Sequence, residues 1–316
     1  MNAKINMGMK GAFHIQVRHA DGTITDHGIH KNRVVNQGLD AMGGAIPSGS
    51  TTLNALNGGV AVGTGNTAPA AGQTTLVAPL AVTSNGSLAT VATQNAAPFA
   101  NIWTSTYTFA VGAVVGNIAE VGMVLGTNLT LAANGPLFSR ALIMVGGSPG
   151  TITLLSTDQL LVTYTMAYIL ETAGSGSVNV TTDGTPVAVN YQFQPCNLGF
   201  GSGGSLAANY MTPVQFENQG AGTTTTWWTN TAFVATTANG STVNGASSAT
   251  NGAYTPGSYT RAFNFHWNTG ITIAARTMCN ITLSCMQFQI LFASSISLTS
   301  TQTMDFNVQL TWADAS

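Results

Sequence analysis

A chain of 316 residues with 44% hydrophobic residues can fill two cores, yet only 6% of it is charged, against roughly 25% in an ordinary soluble domain. So few charges, with a net of −2, favour association and point to a subunit of an assembly rather than a free monomer. Nucleic-acid binding is excluded by the same figures, because after residue 40 three arginines (Arg140, Arg261, Arg276) stand against seven acids and form no basic stripe.

Other classes fall away on pattern. No hydrophobic run approaches the roughly 20 residues of a spanning helix, and Met1–Lys10 holds no apolar core of a secretory leader, so neither membrane insertion nor a leader is expected. Cys196, Cys279 and Cys285 are odd in number and match no zinc or disulfide spacing. They read as reduced thiols of a protein made in a cytosol.

The first forty residues carry eight of the eighteen charged side chains and four of the five histidines. Phe13, Ile15 and Val17 alternate, Ala20-Asp21-Gly22-Thr23 offers a tight turn, and Ile24 starts a return strand, which predicts a β-hairpin. A charged hairpin ahead of a near-neutral body is either a docking element or a solvated edge of the first module. Asn36 is placed to cap a short helix that Gly43-Gly44 would stop. His14, His19, His27 and His30 do not converge on one point in an extended hairpin, so no metal site is expected there.

Further on, Gly63 and Gly65 beside Asn66 make a corner between strands. No Gly-x-x-x-x-Gly-Lys accompanies them, so no nucleotide or other cofactor is expected. Glu120 and Arg140 are isolated charges among apolar neighbours, and a buried charge needs a partner, which makes them a candidate inter-strand ion pair.

The most regular stretch runs from Ile152 to Tyr168. Ile152, Leu154, Leu160, Val162, Tyr164, Met166 and Tyr168 alternate around Ser156-Thr157; 144 positions on, Ile296, Leu298, Met304, Phe306, Val308, Leu310 and Trp312 do the same around Ser300-Thr301. Period two over this length is a half-buried strand, and its return predicts two related β-modules in tandem. Between the copies, residues 172–258 are rich in Gly, Ser, Thr and Asn and read as surface loops on the scaffold. Trp227 and Trp228 inside this stretch are either a receptor or glycan platform or aromatics buried in a core or subunit interface. Asp158, Glu171, Asp183, Glu217, Asp305 and Asp314 are scattered singly and offer no acid pair for glycoside cleavage, so no catalytic residue is assigned.

The predicted architecture is therefore all-β. Residues 1–45 form an N-terminal hairpin and docking segment, 46–171 a first antiparallel β-sandwich of jelly-roll type, and 172–316 a second sandwich bearing the 172–258 insertion.

Several of these segments resemble the opening of tailed-bacteriophage structural proteins of the tail, collar or fibre. The resemblance rests on the Asp-Gly hairpin, Asn32-Arg-Val-Val-Asn-Gln-Gly-Leu-Asp40, Val60-Ala-Val-Gly-Thr-Gly-Asn-Thr-Ala-Pro69, Asn117-Ile-Ala-Glu-Val-Gly122 and Leu137-Phe-Ser-Arg-Ala141. It covers about residues 10–168, and more loosely the second module through Arg261–Trp267 and Leu310–Trp312. It implies a virion component, assembled in the host bacterial cytoplasm with other virion proteins. From the residues themselves no enzyme activity is expected, and assembly as a homo-trimer or ring would take a surface so rich in Thr, Ala and Asn out of water. A capsid decoration or head-fibre protein and an adhesin for host surface glycan are the alternatives.

Overall fold

The computed structural model describes residues 2–45, 58–94, 96–125, 135–195, 224–228, 242–245, 248–267, 273–283 and 286–316. In the first half the elements are β1 (Ala3–Arg18), β2 (Ile24–Lys31), β3 (Arg33–Val34), helix α1 (Asn36–Gly43), β4 (Gly59–Gly63), β5 (Pro79–Thr83), β6 (Gly86–Gln94), β7 (Ala100–Thr108), β8 (Gly116–Ile118), β9 (Glu120–Val124), β10 (Leu137–Leu142), β11 (Met144–Val145), β12 (Ser148–Pro149), β13 (Ile152–Leu154) and β14 (Gln159–Leu170). The second half holds β15 (Gly174–Thr182), β16 (Thr185–Pro195), β17 (Thr224–Trp228), β18 (Thr242–Gly245), β19 (Ser248–Asn251), β20 (Thr260–Trp267), β21 (Ile273–Leu283), β22 (Met286–Leu298) and β23 (Met304–Asp314). The fold is all-β.

β1 organises the molecule. Ala3, Ile5, Met7, Met9, Phe13, Ile15 and Val17 point inward and are buried, while Lys4, Asn6, Lys10 and Arg18 point outward. Along Met7–Arg18 it pairs antiparallel with β14, and along Ala3–Met9 it pairs in parallel with β23. The two strands of the internal repeat therefore flank the first strand of the chain. Each also has an equivalent outer neighbour: β7 lies antiparallel to β14 with Tyr107 opposite Val162, and β20 lies antiparallel to β23 with Phe263 opposite Val308.

Two sandwiches result. In the first, β2-β1-β14-β7-β6 faces the sheet β3-β10-β9-β4-β5. Phe13 and Trp103 pack against Tyr164, with ring centroids 4.8 and 6.0 Å apart, and Met123, Val62 and Phe138 belong to the same core. The Tyr164 hydroxyl receives hydrogen bonds from Ser139 Oγ and Asn32 Nδ2, both at 3.2 Å, which joins the sheets through a polar contact. Burial pushes this hydroxyl up to about 12. β4, β9 and β10 are covered on both faces, with Val35, Ala61, Leu76, Val124 and Leu137 forming a second, smaller cluster. The apolar run of β4 is what such double burial requires, whereas β9 and β10 carry Glu120 and Ser139-Arg140 into the same covered layer.

In the second sandwich β1-β23-β20-β19 faces β15-β16-β22-β21-β17-β18. Phe292 meets Phe306 edge-on at 5.5 Å, and Phe193 meets Phe288 at 6.1 Å. At one corner the sheet folds over, where Thr181 and Thr182 of β15 pair with Asp305 and Met304 of β23.

Two expectations need correction. The expected hairpin of residues 1–45 forms between β1 and the edge strand β2, and β1 in addition lies inside the continuous sheet, paired with β14 and β23. Asn36 does not cap α1; Val35 occupies that position in extended conformation, and the Asn36 N–H is taken up by Ala71 O at 2.7 Å. Gly44, at φ 100°, ends the helix as the left-handed turn requires. Residues 174–195 are not surface loop: β15 and β16 form a long hairpin that places Val178, Val180, Val189, Tyr191 and Phe193 in the core. Cys196 and Cys285 lie outside the described residues.

Candidate functional site

Glu120 begins β9 and Arg140 lies in β10, two antiparallel strands whose register sets Leu142 opposite Glu120 and Arg140 opposite Gly122. Side chains two places apart across such a pair share a face. Arg140 Nε donates to Glu120 Oε2 at 2.7 Å, and neither side chain reaches solvent. Three backbone N–H groups complete the carboxylate's shell: Val77 on Oε2 at 3.1 Å, and Ala78 and Gly65 on Oε1 at 2.8 and 3.1 Å. Arg140 Nη1 donates to Gln73 Oε1 at 3.1 Å.

This network explains the Gly-Thr-Gly corner. A Cβ on Gly65 would lie 2.5 Å from Glu120 Oε1, and one on Gly63 would lie 2.6 Å from the same oxygen and run into Ala78 O. Glycine is needed because backbone closes around a carboxylate, with no role for a phosphate. Four stretches far apart in sequence, residues 63–65, 73–78, 120 and 140, thus converge on one enclosed charge pair. Being enclosed, it meets no ligand from outside; it fixes the strand β9–β10 pair and the loop that covers it.

Three of the four N-terminal histidines, His14, His19 and His30, have separate partners. His14 Nε2 lies 2.8 Å from Asp26 Oδ1, and the Nδ1 of His30 accepts the Met144 N–H at 3.0 Å. His19 bridges two loops, its Nδ1 3.0 Å from Asp158 Oδ1 and its Nε2 2.8 Å from Thr25 Oγ1. Among the described residues no three His, Cys, Asp or Glu side chains are grouped to hold a metal ion.

The Leu155 N–H, then His19, holds the Asp158 carboxyl below its ordinary value of 3.8. Its contribution to stability is therefore present above 3.8 and is lost as pH falls through its lowered value. Asp158→Asn should be less stable than the wild type at about pH 5 and should lose less on acidification to about pH 2.5. Urea midpoints at both pH values check this, and an unchanged acid loss counts against it.

A second polar cluster had no signal in the sequence, because its members are far apart along the chain. Here α1 docks on the second sandwich. Asp40 Oδ1 accepts the Tyr254 hydroxyl and the Gly257 N–H, each at 2.6 Å. Arg261 Nη1 donates to Gly43 O at 2.7 Å and Trp312 Nε1 to Leu39 O at 2.9 Å, so two side chains of β20 and β23 take carbonyls of the last turn of α1. Tyr254 stacks on Trp312 at 5.6 Å. Burial, with the Asp40 carboxylate, raises the Tyr254 hydroxyl.

Trp227 and Trp228 lie in β17, opposite Cys279 and Met278 of β21, with an irregularity between them on the β18 side. Where their side chains sit lies outside the described residues. Near β1 an open groove of about 380 Å³ includes Asn2, Lys4, Asn6, Glu171, Ser175 and Tyr191. β14 no longer covers this edge of β1, and side chains take its N–H groups instead: Tyr191 Oη at Lys4 (2.9 Å) and Glu171 Oε2 at Asn6 (3.0 Å).

The chain matches no family model, no curated protein and no solved structure.

Proposed function

We propose that the chain is a structural subunit of a tailed-bacteriophage virion, in the tail, collar or fibre apparatus, which works by assembling with copies of itself and with other virion proteins. The observation that carries this reading is the enclosed Glu120–Arg140 network. The segments with the phage resemblance, Val60–Pro69, Asn117–Gly122 and Leu137–Ala141, meet there, and their shared chemistry builds a rigid scaffold rather than an open site.

The outward face of the continuous sheet supports assembly. Thr104 pairs with Thr165 (3.2 Å), Thr106 with Thr163 (2.9 Å), Asn264 with Asn307 (3.0 Å) and Thr260 with Thr311 (3.2 Å) across neighbouring strands. A broad face of satisfied hydroxyls and amides with few charges can be covered by another subunit at small desolvation cost.

Light scattering of the purified protein, beside negative-stain images, tests the reading. A closed oligomer of fixed stoichiometry is expected, with an elongated trimer indicating a fibre and a ring indicating a collar. A protein that stays monomeric at high concentration, and remains so when other virion proteins are added, would remove it.

A further inference from the structure

We propose that His30 is an acid-operated latch that holds the β11–β12 hairpin on the first sandwich and releases it on protonation. His30 lies in β2 opposite Phe13 of β1 and is 1% exposed. Its Nδ1 accepts the N–H of Met144, the first residue of β11, so that nitrogen carries no proton and the ring is neutral with its proton on Nε2. Nε2 is buried and makes no hydrogen bond within the protein.

The hairpin depends on few ties. β11 and β12 pair with each other, Met144 opposite Pro149 and Val145 opposite Ser148, and among the described residues with no other strand. At the base, Ile143 N–H donates to Ala119 O at 2.8 Å and Met144 N–H donates to His30. Protonating Nδ1 would set one N–H against another and bury a charge where only an acceptor fits.

The surroundings make that proton harder to accept. His27 on β2 and His14 on β1 both bear on His30 and oppose its charge. Asp26 on β2 is engaged by His14, and Lys31 follows His30 on an exposed position. On the side of β10, Arg140 is committed to Glu120, and Ile143–Gly150 contains no ionisable side chain. Burial first, then His27 and His14, place His30 below its ordinary 6.5. Opening the hairpin relieves the burial while His27 and His14 stay on β2 and β1. The open form therefore takes up its proton more readily than the closed one but not above the ordinary 6.5, and the latch is fully effective above 6.5. It weakens as pH falls below that, and reaches its floor once pH passes the lowered value of the closed form.

Amide hydrogen exchange of residues 143–150, followed between about pH 7.5 and about pH 4.5, tests the latch. After allowance for the pH dependence of chemical exchange itself, protection in the wild type should be level above 6.5 and fall below it, by at most about tenfold for each pH unit. His30→Asn keeps an acceptor oxygen near the Nδ1 position and does not titrate, so its protection should stay level. A level wild-type profile, or the same loss in His30→Asn, overturns the proposal. Should that variant fail to fold, the wild-type His30 ring and the Met144 amide are titrated together by nuclear magnetic resonance. A shared midpoint is expected, and separate midpoints overturn the latch.

Discussion

Arg140→Met is expected to lower the unfolding free energy by about 3–5 kcal/mol, the loss typical when one partner of a buried ion pair is removed and the other stays buried. Glu120 would keep three backbone N–H donors but lose its cation. Glu120→Gln should cost a similar amount, because it strands Arg140 and turns an amide N–H toward groups that are themselves donors. The double variant should lose less than the two singles added together, since it removes both charges at once. Urea unfolding of the four proteins measures the coupling. Additive losses, or single losses under about 1 kcal/mol as for an exposed pair, would mean that the two charges do not depend on each other. Gly65→Ala should reproduce part of the effect without touching a charge, since its new Cβ would displace Glu120 Oε1.

The sequence carries local information well and partner choice poorly. Alternation along Ile152–Tyr168 and Ile296–Trp312 shows which side chains face a core, and thirteen of those fourteen positions are buried, the side chain of Leu298 lying outside the described ones. Period two cannot say which strand lies alongside. Phe13, Ile15 and Val17 predict a hairpin correctly, yet Ala3–Met9 pairs with the last strand of the chain, a contact that no local pattern encodes. The helix was legible from Gly43-Gly44, but its true start was not, because Asn36 N–H is met by Ala71 O from a distant loop. Glu120 and Arg140 stood out because charge is so scarce in the body. Asp40 gave no such signal, for its partners Tyr254 and Gly257 come from the second module and are ordinary residues for a turn. The low-complexity composition after Thr172 hid a core hairpin, since only every second residue of β15 and β16 needs to be apolar.

Removing residues 2–9 is expected to destabilise both sandwiches together. Ile5, Met7 and Met9 are almost wholly buried, and at about 1.5–3 kcal/mol each their loss sums to about 5–9 kcal/mol. That is comparable to the roughly 5–15 kcal/mol that holds an ordinary domain folded. The deletion would also leave Val308–Asp314 of β23 without its parallel neighbour and open a new apolar edge. If the modules were independent, the second transition in urea would shift and the first would stay. A shared strand demands more: β1 passes without interruption from β23 to β14, and α1 is held by Arg261 and Trp312, so strain at one end reaches the other. Calorimetry and tryptophan fluorescence should therefore report one displaced transition. A truncated chain that melts at the full-length midpoint would show that Ala3–Met9 is only an appendage. Because Ala3 meets Val308, the pairing forms only when nearly the whole chain is available. Folding should then be slow relative to a hairpin-rich protein of similar size.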